Sequence, residues 1–288
     1  MVTVKSAQVD LFLGPHHQTT AEVELFKEIK DKLTTLRRLS EVDELFIILI
    51  QCYWEFESER NKLRNSFQMF GSQQRLTESF RAMNICLMSV LTWSRCFFDI
   101  GSTHFSDQGF PKRHVLKTNN FSFLLIEHIR NKSQHNMLPI HGVGYTNDPR
   151  KSLLNQSAPE YSFSKERIAQ LPIHNNNPHE IADKAKILAR EECNFNVSFH
   201  LLTYIQTIRP EFISFRQKMA DYRTASCKWL LDILDGFHEL HHDGVIIFTD
   251  EENCSDLVLS KHEIENLEQS NQDLSTYLEY AMKSFPSA

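Results

Sequence analysis

The sequence predicts an all-α fold with a small mixed α/β C-terminal addition, and three observations predict it. Eight glycines in 288 residues are too few for a turn-rich all-β chain and fit long helices. Apolar residues recur three and four positions apart through several long windows, which is the period of an amphipathic helix. After residue 244 the pattern changes, and short runs of β-branched and apolar residues replace it.

Residues 1–19, with Gly14-Pro15-His16-His17, lack a clear period and read as an irregular lead-in. A helical domain is expected over residues 20–240. Its first helix, Thr20–Leu39, places Phe26, Ile29, Leu33 and Leu36 at spacings of three, four and three. Ser40-Glu41-Val42-Asp43 then reads as a capped start of a second helix running to about Phe67. Gly71-Ser72 breaks the chain. Gln73–Phe98 is the third helix, with a bundle seam through Leu76, Phe80, Met83, Leu87 and Leu91. Asp99–Asn120 reads as a long polar connection, and Phe121 opens a dense apolar helix stopped at Leu138-Pro139-Ile140. A loop insertion is expected around 142–178, including a small hairpin near Gly142–Glu160. Helical pattern returns from His179 to about Ala220, with Pro210 marking a kink or boundary, and again over Ala225–Leu240. The addition spans 241–288: strands at Gly244–Thr249 and Asp256–Leu259, then a charged helix Lys261–Lys283.

Composition narrows the function classes. A formal charge of −6 leaves no global basic field of the kind a duplex-coating protein carries, so contact with nucleic acid has to come from a local patch. The six cysteines (52, 86, 96, 193, 227 and 254) form no C-x-x-C pair and read as reduced, mostly buried side chains of a cytoplasmic protein. Met1–Leu13 lacks the apolar core of a secretory leader. No stretch is apolar for long enough to span a membrane.

The chemistry gathers at the end of the Phe121 helix. Its apolar run gives way to Arg130, Asn131, Lys132, Ser133, Gln134, His135 and Asn136, residues with little to offer a core. Arg-Asn followed by three residues and His, closing an apolar helix before Leu-Pro-Ile-His, resembles the signature of HEPN ribonucleases. It is most similar to those of bacterial abortive-infection systems, which are related to type VI CRISPR effectors. The resemblance implies a HEPN-like helical bundle and a metal-independent endoribonuclease that needs no cofactor. It further implies a homodimer with paired motifs and a toxin-like role in antiviral defence, restrained by an RNA or protein antitoxin or trigger.

The residues fit that chemistry on their own terms. Cleavage of RNA without a metal requires a 2′-OH to lose a proton as it attacks the neighbouring phosphate, and a departing 5′-oxygen to gain one. Histidine exchanges protons near neutral pH, which suits His135, and a guanidinium such as Arg130 stabilises the charge gathering on phosphate. Asn131 and His135, four apart, share a helix face, whereas Arg130 and His135 lie roughly 140° apart on an ideal helix. Two motifs across a dimer cleft therefore make a better site than one, and surplus apolar surface on Phe121–Ile129 is expected to meet the second subunit. Lys132, Gln134, Asn136 and His141, with Lys112 and Arg113 from the preceding connection, are the candidate RNA contacts.

Other readings stand beside this one. Arg130 and His135 also suit plain capping of helix-end carbonyls, and a HEPN-like module that binds RNA or a protein without cutting is the competing function. His238-Glu239-Leu240-His241-His242 matches the H-E-x-x-H pattern of zinc hydrolases. There Gly236 and Asp243-Gly244 leave little helix to present the ligands. The run Glu57–Arg64 reads as a helix face laced with ion pairs.

Overall fold

The computed structural model describes residues 2–6, 18–21, 23–69, 73–133, 138–145, 159–173, 177–237, 244–250 and 255–284. It is mostly helical with small antiparallel sheets, an all-α fold with a small α/β addition. Two compact units divide it, Met1–Glu44 with Arg216–Ala288, and Leu45–Phe215. Two long helices, α1 (Val23–Met69) and α7 (Val197–Gly236), contribute residues to both.

The first unit contains a four-stranded antiparallel sheet in the order β2 (Gln18–Ala21), β1 (Val2–Ser6), β6 (Val245–Asp250), β7 (Ser255–Ser260). The expected irregular lead-in therefore holds two strands, and Val2 to Ser6 pair with Asp250 to Ile246. What reads as an appendage after residue 240 shares its sheet with the N-terminus, so the division at 240 is replaced by one at 44 and 216. Strand alternation explains the core. Ile246 lies opposite Leu259 and Phe248 opposite Leu257, all four buried, while Val258 between them is exposed. That apolar face packs with Phe26, Ile29, Leu33 and Leu36 of α1, Cys227, Leu230 and Leu234 of α7, and Ile264 of α8 (Lys261–Ser284). Gly244 has φ +68, and a Cβ there would stand 2.9 Å from the Lys261 Cβ, so the β6 approach needs glycine. Asp43 is buried between Arg216, 3.1 Å away, and Arg223, 2.5 Å away, and Asn271 of α8 accepts from both arginines.

The second unit is built round aromatic rings. Phe46 of α1 lies 4.3 Å from Phe212 of α7, and Phe97 of α2 (Gln73–Phe105) 5.1 Å from Phe110. Phe123 of α4 (Phe121–Ser133) stacks on Tyr204 of α7 at 4.8 Å. Residues 99–120, expected as a polar connection, instead extend α2 to Phe105, turn at Gly109, and form α3 (Arg113–Asn119). Gly101 makes this close return possible, since a Cβ there would meet the Phe110 ring at 2.0 Å. Two further short helices, α5 (Lys165–Gln170) and α6 (Pro178–Leu188), flank a three-stranded sheet of β3 (Gly142–Tyr145), β4 (Pro159–Ser164) and β5 (Asn194–Asn196). The expected hairpin is β3 with β4. Two expected helices merge into α1, and α7 runs through Pro210 without ending. Cys52 and Cys227 are buried, Cys86 and Cys96 half-buried and Cys193 exposed, so burial is less general than expected among the five described cysteines; Cys254 lies outside the described residues. Among the described residues no helix is long and apolar enough to cross a membrane.

Candidate functional site at the end of the buried helix

Helix α4 starts where Asn120 Oδ1 accepts from the Phe123 N–H at 3.0 Å, a side-chain cap that relieves one orphan donor. Every residue from Phe123 to Arg130 is buried. The helix therefore keeps no surplus apolar face for a second subunit: Phe123, Leu124, Leu125, Ile126 and Ile129 are all 3 % exposed or less. A fully surrounded helix must pair its polar side chains inside the fold.

It does so through Glu127, which is 1 % exposed. Its Oε2 lies 3.0 Å from Arg130 Nη2, one helical turn on, and 3.8 Å from Arg113 Nε of α3. Its Oε1 accepts from the Tyr204 hydroxyl at 3.0 Å. Tyr204 also hydrogen-bonds Ser94 of α2, and burial followed by the Glu127 charge holds its phenol well above the usual range. Arg113 donates to Asp99 Oδ1 at 2.8 Å and to the Arg95 carbonyl at 3.0 Å, with its guanidinium over the Phe98 ring. Burial alone would raise the Asp99 carboxyl, but Arg113 and Arg95 together hold it below the ordinary carboxylate range. One carboxylate thus ties α4 to α3 and α7.

Arg130 is the charged end of this network. Only 6 % exposed, it spends Nη2 on Glu127 and on Asn131 Oδ1, 3.0 Å away. Its Nε and Nη1 are buried and have no acceptor among the described residues. Asn131 is exposed. Arg130 and Asn131 are brought together by contact, and Arg113 joins them through Glu127. His135, Gln134 and Asn136 lie outside the described residues, as do His238, Glu239 and His242. Among the described residues no cluster of three or more His, Cys, Asp or Glu could hold a metal ion.

The remaining candidates separate. Lys132 is 8 % exposed and gives its ammonium to Glu180 of α6 and to the Pro172 carbonyl; burial, then Lys184, lowers its pKa. His141 is half-buried at the start of β3, where Nδ1 accepts from the Ser164 N–H at 3.1 Å, so a neutral ring carries its proton on Nε2. Burial lowers its pKa. Lys112 is exposed just before α3.

Reading the sequence missed Glu127, Tyr204 and His128. Glu127 had a local signal, an acid inside an apolar run three residues before an arginine, the spacing of helical neighbours. Tyr204, 77 positions away, had none. His128 is 1 % exposed, and burial followed by the Lys132 charge pushes it down to about 4. The chain matches no family model, no curated protein and no solved structure.

Proposed function

We propose that this chain is a metal-independent endoribonuclease of HEPN type, acting as a homodimer in phage defence. Arg130 and His135 are its catalytic pair and Asn131 a catalytic neighbour. The observation that carries the reading is Arg130 itself. Its guanidinium is buried at the end of α4, fixed by Glu127 and Asn131, and among the described residues two of its nitrogens have no acceptor. Buried N–H groups that lack partners cost on the order of 1–3 kcal/mol each, and a phosphate oxygen is an acceptor that recovers that cost. A guanidinium already held in place also loses little entropy when the anion arrives. His135, five residues on, supplies the proton transfers, and the products are a 2′,3′-cyclic phosphate and a 5′-hydroxyl. Exposed Lys112, with Gln134, Asn136 and His141, meets the RNA. Lys132 and Arg113, both ion-paired, set the local field from within the fold.

The test is cleavage of generic RNA in excess EDTA by the parent, Arg130→Ala and His135→Ala. The parent is expected to cut, each variant to lose at least a hundredfold, and a 2′-deoxy sugar at the scissile position to block the reaction. Activity that vanishes in EDTA and returns with zinc would move the chemistry to His238, Glu239 and His242.

One observation favours a second reading, a HEPN-like module that binds RNA or a protein without cutting. The Glu127–Arg130 pair closes α4 as a structural contact would. On that reading the parent itself retains RNA but never cleaves it, and lost stability is the whole effect of Arg130→Ala.

A further inference from the structure

Helix α2 carries a groove of about 610 Å³ between its outer face and Leu138. Its floor and rim include Phe80, Arg81, Ile85, Met88, Thr92 and Trp93, and Ile85 and Leu138 are 61 % and 59 % exposed. We propose that this face is where a second copy of the chain docks, α2 against α2 about a two-fold axis. The inference rests on the homodimer proposed above and names its surface, which α4 is too buried to provide.

The argument is self-complementarity. A two-fold axis crossing an antiparallel helix pair midway between positions 86 and 87 brings residue i opposite residue 173 − i of the other copy. Ile85 then opposes Met88 beside the axis and Phe80 opposes Trp93 further out, so apolar meets apolar at both places. Arg81 opposes the short Thr92, which gives it room. At the ends Glu78 opposes Arg95, acid to base, twice in each dimer; both are exposed, and Arg95, although 3.1 Å from Asp99 in its own helix, keeps 51 % of its side chain toward solvent. The stripe from Thr77 to Trp93 runs roughly 24 Å along the helix, long enough for a helix-pair interface. An exposed apolar stripe with charges of opposite sign at its two ends is what an isologous contact requires.

Position links this face to the motif. Leu138 stands three residues after His135, and Asn84 Oδ1, from the same helix, accepts from the Ile140 N–H at 2.9 Å. The segment leaving the motif is thus pinned to α2, and a copy seated on α2 meets it directly. The same contact that buries the groove brings the partner alongside Leu138.

Sedimentation velocity at micromolar concentration tests this with the full-length chain. The parent is expected to run as a dimer, and Ile85→Glu to weaken association at least tenfold with an unchanged circular dichroism spectrum. Phe199→Glu, at a side chain also 61 % exposed but on α7, is expected to leave the dimer intact. Glu78→Arg and Arg95→Glu each weaken the dimer, and the two together in one chain restore it. A dimer indifferent to Ile85→Glu, or no recovery in the charge swap, overturns the assignment while leaving a dimeric nuclease standing. A parent that sediments as a monomer and takes up an apolar dye in the groove overturns it in favour of a small ligand. A dimer through α2 that cuts no RNA in any condition sinks the nuclease reading and leaves this interface.

Discussion

Glu127 is the residue on which the candidate site turns, because this buried carboxylate fixes Arg130 at 3.0 Å and also faces Arg113 at 3.8 Å, whose guanidinium Asp99 and the Arg95 carbonyl hold more closely. Removing one partner of a buried ion pair leaves an uncompensated charge and costs about 3–5 kcal/mol. Glu127→Ala is therefore expected to destabilise strongly in urea unfolding, whereas Glu127→Gln, which still accepts from the Tyr204 hydroxyl, loses roughly half as much. If the pair also positions Arg130 for phosphate, Glu127→Gln lowers cleavage out of proportion to its effect on the melt. Equal stability in Glu127→Ala and the parent would mean the network is ornamental. Gly101 is a steric counterpart. The Phe110 ring occupies the space of its missing Cβ at 2.0 Å, and Phe110 is 2 % exposed. Gly101→Ala is expected to cost about 1–3 kcal/mol by overpacking, and pairing it with Phe110→Leu to recover part of that. An alanine variant as stable as the parent would show that the α2–α3 return relaxes freely.

At the scale of elements, α6 is held by Lys132 of α4, paired with Glu180, and by Lys117 of α3, 2.6 Å from Asp183, with His128 of α4 buried beside them. The folded state holds His128 neutral, pushed down to about 4 by burial and then by Lys132, with Lys117 and Lys184 adding to it and Asp183 opposing. His200, whose Nδ1 lies 2.8 Å from the Ser122 hydroxyl of α4, is also pushed down to about 4 by burial. The unfolded chain takes up these protons first, so the stability they contribute is complete above about pH 6.5 and is lost as pH falls toward 4. Unfolding free energies at pH 7 and pH 4.5 are expected to converge in His128→Gln relative to the parent; an unchanged gap would remove His128 from the account. The same elements show what was legible. The spacing of Phe26, Ile29, Leu33 and Leu36 gave away α1, and the run of β-branched and apolar residues in Val245–Thr249 gave away β6, because each pattern is local. Strands β1 and β2 are five and four residues long, and β1 is held by a partner more than two hundred positions away. Pro210 reads as a boundary from its lost N–H, yet Ile205, Ile208, Phe212 and Phe215 are fully buried on both sides of it, and that packing outweighs one missing hydrogen bond. Arg130 and Asn131 were readable as a motif, whereas the buried acid that orients Arg130 looked like one polar letter in an apolar run.

For the whole molecule, the unit made of Leu45–Phe215 contains both α4 and the α2 groove, so the proposed assembly and the proposed chemistry fall within one unit. The sheet of the other unit, through β1 and β6, ties the two ends of the chain together. If the site is composite, with Arg130 from one copy acting beside His135 of the other, inactive chains complement each other. Mixing equal amounts of Arg130→Ala and His135→Ala chains makes heterodimers in half of the assemblies. Each heterodimer then holds one site with both groups and one with neither, so about a quarter of the parent activity is expected to return. Ile85→Glu introduced into both chains abolishes that recovery by preventing exchange of partners. A site that takes both groups from one chain gives no recovery at any mixing ratio, because neither chain then carries an intact pair. Recovery in the parent background and none in the Ile85→Glu background would tie the chemistry of α4 to the surface of α2, and recovery that persists in both would place the shared interface on another face.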